Sequence, residues 1–148
     1  MVGGMPASFH HLSAYLRSCA RVAPARPHDQ RVALIGCETS DSAERARVDV
    51  VLSVDGRKHV STHTGVGPVE ALISSLAAQG IVVDVLGLHQ AGVGTSRDSE
   101  ALSLIEHRAG GDVVWTAGRG RSVLAATLSA VMAAAARVPE SPELASTR

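Results

Sequence analysis

One series of landmarks is written twice in this chain, and the duplication constrains its fold more than any single motif does. Gly36 in VALIGC answers Gly87 in VDVLGL, and Gly56 answers Gly110 in two tight turns. GVG at 65–67 answers GRG at 118–120 just ahead of a helical run. The offset between partners drifts only from 51 to 54 residues, as expected of a duplicated unit.

Hydrophobic spacing supplies the elements between the landmarks. RVALIGCE (31–38) reads as a short apolar strand, and RVDVVLSVDG (47–56) sets Val48, Val50, Leu52 and Val54 on one face by alternation. Asp55-Gly56 turns the chain into RKHVSTHTG, a more polar strand with Val60, Thr62 and Thr64 on a common face. PVEALISSLAAQG then places Val69, Leu72, Ile73 and Leu76 at helical spacing, with Pro68 at the first position and Gly80 at the C-terminal cap. The pattern recurs in VVDVLGLHQ (82–90), EALSLIEH (100–107) and DVVWTAG (112–118), the last two joined through Ala109-Gly110-Gly111. RSVLAATLSAVMAAAARV closes it as a helix striped by Leu124, Leu128, Val131 and Ala135.

The order predicts an α+β fold made of a duplicated βββα unit, two antiparallel three-stranded sheets each with one helix. Neither unit buries enough surface alone, so the two are expected to pack together and the chain to dimerise. Repeat one spans about 31–80 and repeat two about 82–138, within a domain over 30–138. Residues 1–29 form a peripheral arm in which FHHLSAYLRSCARV suits a short helix before ARPHDQ. Residues 139–148, PESPELASTR, have the composition of a disordered tail.

Composition narrows the function classes. Fourteen Lys and Arg balance fourteen Asp and Glu, and the aromatics are Phe9, Tyr15 and Trp115 alone, so neither a basic field nor a stacking platform exists for nucleic acid. No run approaches the roughly 18 apolar residues of a membrane span, and the first residues mix Gly, His and Arg among their hydrophobics, unlike a secretion signal. Cys19 and Cys37 lack zinc or redox spacing, which favours a reduced, cytoplasmic setting.

The chemistry-bearing residues do not assemble a catalytic centre. GVGPVE and GRGRSV miss the defining positions of both the dinucleotide fingerprint and the P-loop. Either GxG has two readings: glycines that let a strand turn tightly into a helix, or a turn whose free N–H groups attract a carboxylate. His59 and His63 share a strand face but stand roughly 13 Å apart, too far for one ion. His10 and His11 lie in the arm, and His89 and His107 fall on separate strands. No metal and no cofactor is expected. Cys37 sits in an apolar strand with no activating base.

GVGPVEAL at 65–72, GVGT at 92–95 followed by EALSLIE, GRG at 118–120 and LAATLSAVMAA at 124–134 together resemble the C-terminal regulatory domain of alpha-isopropylmalate synthases, shared in looser form with citramalate synthases. The resemblance covers about residues 31–138. It implies a duplicated βββα unit that pairs with its copy in another subunit and binds the end-product amino acid, leucine, as a feedback inhibitor. The family's catalytic TIM barrel and divalent metal lie in a separate portion that this sequence does not resemble. Carried over by position, Gly65, Gly67, Pro68, Val69 and Ala71 would line the effector site with Gly118 and Gly120, and Ala91 and Val93 would be pocket walls. The chain departs from the family where Arg121, Ser122 and Val123 replace an aspartate and its neighbours, where Ala126-Thr127 stands for Ala-Ser, and at Val85, where an aromatic is common.

Three readings follow. The first is a non-catalytic regulatory protein that binds leucine or a related branched-chain amino acid and modulates a separate synthase. The second is a dimerisation module without an effector, and the third an enzyme built on His59, His63, His89 and His107 brought together by the sheet.

Overall fold

The computed structural model describes residues 31–93, 97 and 99–138; the arm over 1–29 and the tail over 139–148 lie outside the described residues. β1 (Val32–Asp41), β2 (Ala46–Val54) and β3 (Arg57–Thr64) form one antiparallel sheet in that order, followed by α1 (Pro68–Ala78). β4 (Asp84–Val93), β5 (Glu100–Ala109) and β6 (Asp112–Gly120) form a second, followed by α2 (Val123–Ala135). The α+β fold of a duplicated βββα unit is therefore the observed one.

Strand register shows how literal the duplication is. In each first strand the pairing skips one residue, Ile35 before Gly36 and Leu86 before Gly87, so both repeats carry a bulge at the same place. Each hairpin turns on two residues of positive φ, Asp55 (50°) with Gly56 (79°) and Gly110 (60°) with Gly111 (90°), the geometry whose twist matches its flanking strands. Gly56 thus corresponds to Gly111, where the sequence had suggested Gly110. From the hairpin onward the repeats correspond at a constant 55 residues, which also relates the helix caps Gly67 and Ser122. Gly65 then answers Gly120, not Gly118, and the equivalent of Gly118 is His63.

The core is one cluster across both units. Val48, Val50, Leu52 and Val54 of β2 are buried as alternation predicts, against Ala71, Leu72 and Leu76 of α1 and Leu128, Val131 and Ala135 of α2. Val69 and Ile73 sit at its rim, and Ser75 lies within the buried face of α1. α1 ends in a Schellman motif: Gly80 donates to the Ala77 carbonyl and Ile81 to that of Leu76, and Ile81 and Leu76 are both buried. Val60 and Thr62 point outward from the first sheet, where Thr62 Oγ1 donates to Asp49 at 2.6 Å and Arg47 pairs with the same carboxylate.

The stripe expected on α2 is displaced. Leu124 is exposed, and the buried face is Ala126, Thr127, Leu128, Ala130, Val131, Ala134 and Ala135. Small residues line this face because the helix lies directly on β6. A Cβ on Gly118 would run into the Ala126 carbonyl and the Ala130 amide, and one on Gly120 would stand 2.7 Å from the Ala126 nitrogen. The replacement Gly118→Ala must therefore move the helix, and its expected cost is about 3 kcal/mol. Gly67→Ala, with nothing within 4 Å of the added carbon, should stay within about 1 kcal/mol. Chemical denaturation of the two variants beside the parent checks the contrast.

Candidate effector site

The turn between β3 and α1 is built by one strained and one open residue. Gly65 takes a φ of 77° and its N–H donates to the Ala46 carbonyl at 3.0 Å, which fixes the turn on the end of β2. Val66 packs against the core, and Gly67 caps the helix in extended conformation with no side-chain hydrogen bond to the first turn. Pro68 has no N–H to offer, so the uncapped donors are those of Val69 and Glu70. No atom lies within 4 Å of where a Cβ would stand on Gly65 or Gly67. The turn is open, and it presents N–H groups at the positive end of α1.

The second repeat closes the same place. Ser122 Oγ accepts the Ala125 N–H at 3.0 Å, and Gly118 and Gly120 lie inside β6 with α2 backbone against them. Ala91 and Val93 end β4, paired to Leu102 and Glu100, at the same end of the second sheet as Gly118 and Gly120. The nine residues named from sequence therefore form two groups. Gly65, Gly67, Pro68, Val69 and Ala71 make one continuous turn and helix start, while Ala91, Val93, Gly118 and Gly120 belong to the other repeat. Ala71 is fully buried beneath its turn, and Ala91 is exposed.

Beneath the first turn of α1 lies a polar cluster that sequence reading did not single out. Ser75 Oγ donates to the Ala71 carbonyl at 2.8 Å and lies 2.7 Å from Ser61 Oγ and 2.9 Å from His63 Nε2; His63 Nε2 also reaches Ser61 Oγ at 3.1 Å. Ser61 and His63 alternate on β3 and Ser75 follows Ala71 by four, a pattern visible only once strand and helix are placed face to face.

The histidines do not converge. His89 rests its ring against Trp115 on the outer face of the second sheet, centroids 5.3 Å apart, while His107 lies in the interior on the opposite face. Among the described residues no three His, Cys, Asp or Glu side chains group as ion ligands. Nor is any described helix long and apolar enough to cross a membrane.

Three groups titrate abnormally. Burial pushes the Cys37 thiol up, and the Thr62 hydroxyl, followed by Arg47, holds Asp49 below the usual carboxylate range. Burial pulls His107 down, aided by the charge of Arg137 and opposed by a hydrogen bond to the Arg108 carbonyl. His107 is fully buried, and its Nε2 has no hydrogen-bond partner among the described residues.

A duplicated βββα unit with one open helix start defines a regulatory or assembly module, not a catalytic one. The chain belongs to the LeuA allosteric (dimerisation) domain family, which matches residues 14–138. It is 34% identical over 106 residues to 2-isopropylmalate synthase of Parafrankia sp. (strain EAN1pec), covering 70% of this chain and 19% of that protein. To the synthase of Mycobacterium ulcerans (strain Agy99) it is 27% identical over 113 residues, 76% of this chain and 20% of the relative. To that of Kocuria rhizophila (strain ATCC 9341 / DSM 348 / NBRC 103217 / DC2201) it is 30% identical over 107 residues, 72% and 18%. The chain thus spans about a fifth of the length of these relatives.

His107 occupies the position that Leu52 holds in repeat one, offset by 55. An imidazole buried neutral resists protonation, so unfolding takes up a proton and stability falls as pH drops below the ordinary value near 6.5. His107→Leu should stabilise the protein by about 1–3 kcal/mol at neutral pH by removing an unpaired polar atom. Its advantage over the parent should widen between pH 7 and 5, as read from denaturation midpoints across that range.

Proposed function

We propose that this chain is a non-catalytic regulatory module that binds leucine or a related branched-chain amino acid and dimerises. In this reading it acts on 2-isopropylmalate synthase activity in the cytoplasm, as feedback control of leucine biosynthesis. The observation that carries the reading is the start of α1: Val69 and Glu70 N–H groups left uncapped, beside two glycines with empty space around them. An amino-acid carboxylate meets those donors and the helix dipole together. Glu70, exposed in the same turn, supplies a carboxylate for the effector's ammonium group, and Val66 and Val69 offer apolar surface to its side chain. Ala91 and Val93 extend the proposed site from the second repeat, and Gly118 and Gly120 hold that repeat's helix close. The names of the relatives support the pathway, and the partner would be a synthase catalytic portion carried elsewhere.

A second reading, a pairing module without an effector, is favoured by the closure of the equivalent turn in repeat two by Ser122. Titration with leucine, isoleucine, valine and an unrelated amino acid separates the two. At a hundred times its dissociation constant a ligand adds about 2.7 kcal/mol, a clear rise in melting temperature for a domain of this size. Gly67→Val, which fills the open space, should abolish that rise while lowering the ligand-free protein by about 1 kcal/mol. Flat curves for all four amino acids would leave the pairing module.

A further inference from the structure

The outer surface of α2 is unlike that of a helix facing water. Over Val123–Ala135 it carries no charged residue, whereas a surface helix ordinarily sets charge opposite its buried stripe. Its outward residues face β1 across a groove of about 550 Å³, lined by Ile35 and Cys37 on one side and Ser129, Met132, Ala133 and Ala136 on the other. β1 is an edge strand, and at its bulge Ile35 stands 58% exposed. Val123 and Leu124, 49% and 40% exposed, carry the apolar surface past the groove to the start of the helix.

We propose that a second copy of this chain covers the groove between β1 and α2, making this surface the homodimer interface. The proposal rests on the dimerisation reading above and names the surface that performs it. An uncharged surface selects no charged partner, and two copies of it meet about a two-fold axis without like-charge repulsion. The continuation to Val123 and Leu124 makes the patch broader than one threaded segment would fill.

Cys37 lies on the groove and is a built-in reporter. In the full-length Cys19→Ser variant it is the only thiol, and its alkylation rate at one fixed pH, normalised to the unfolded chain, is followed across protein concentration beside the mass by sedimentation. The expected result is protection that grows with concentration in step with a change from one chain mass to two. Ser129→Arg, at an exposed position on the groove, should weaken the dimer by about 30-fold or more and restore fast alkylation at unchanged circular dichroism. Ala136→Glu, equally exposed, is the second variant should the first lose helicity. A dimer that alkylates at one rate at every concentration, or whose affinity both variants leave untouched, overturns the surface and leaves dimerisation standing. A single chain mass at all concentrations overturns both. Protection independent of concentration assigns the cover to residues 1–29 of the same chain and overturns the proposal.

Discussion

The backbone of α2 lies against the backbone of β6, and much of the second repeat's architecture follows from that contact. Gly118 and Gly120 remove the side chains that would hold the two apart, and alanines at 126, 130 and 134 do the same from the helix. Close approach trades side-chain volume for backbone proximity. Thr116 can then donate to the Ala130 carbonyl at 3.3 Å, and Ser103, Gln90 and Thr127 join in one buried polar contact. With so little thickness spent on its own sheet, α2 also reaches α1 and the edge of the first sheet, and this places both units in one core.

The repeats share a frame and diverge in what fills it. At the offset of 55, Ser61 corresponds to Thr116, Ser75 to Ala130 and His63 to Gly118, so the space that a helix backbone occupies in repeat two holds an imidazole and two hydroxyls in repeat one. Leu52 and His107 show the reverse exchange, apolar in the first unit and polar in the second. The caps diverge in the same sense, Gly67 leaving its helix open and Ser122 closing its own. One repeat is closely packed and satisfied; the other keeps a helix start with donors to spare.

Element order, the hairpins and the alternating face of β2 were legible in the sequence because each depends on local spacing: Asp55-Gly56 and Gly110-Gly111 must turn, and Val48 to Val54 must share a face. The register of the duplication was less legible. Matching glycine to glycine paired Gly56 with Gly110 and the two GxG motifs with each other, while the backbone aligns Asp55 with Gly110 and Gly65 with Gly120. The error has one cause, since a glycine admitting positive φ and a glycine admitting a helix look alike as letters. Leu124 was placed in the core because hydrophobicity outranks alanine on any scale, yet a helix lying flat on a glycine strand buries its smallest face. The Ser61, His63 and Ser75 cluster was invisible for a related reason: its members belong to a strand and a helix whose mutual rotation no local pattern sets.

The divergence of the repeats bears on which part can respond to a ligand. α2 is fixed by backbone contact, where any displacement opens a void that nothing refills. α1 rests in part on hydroxyl and imidazole hydrogen bonds, and a polar contact that separates can exchange its partner for water, so its net loss is modest beside that of a packed apolar surface. The helix with the uncapped start is thus also the helix whose shift costs less. Bound charge at Val69 and Glu70 would act on α1 along its axis, and Leu72 and Leu76 on that helix face the same core that α2 enters from the other side. A ligand at the open turn would therefore act on the mobile partner of a pair whose other member carries the uncharged outer surface, which gives the two sites a shared core through which to communicate.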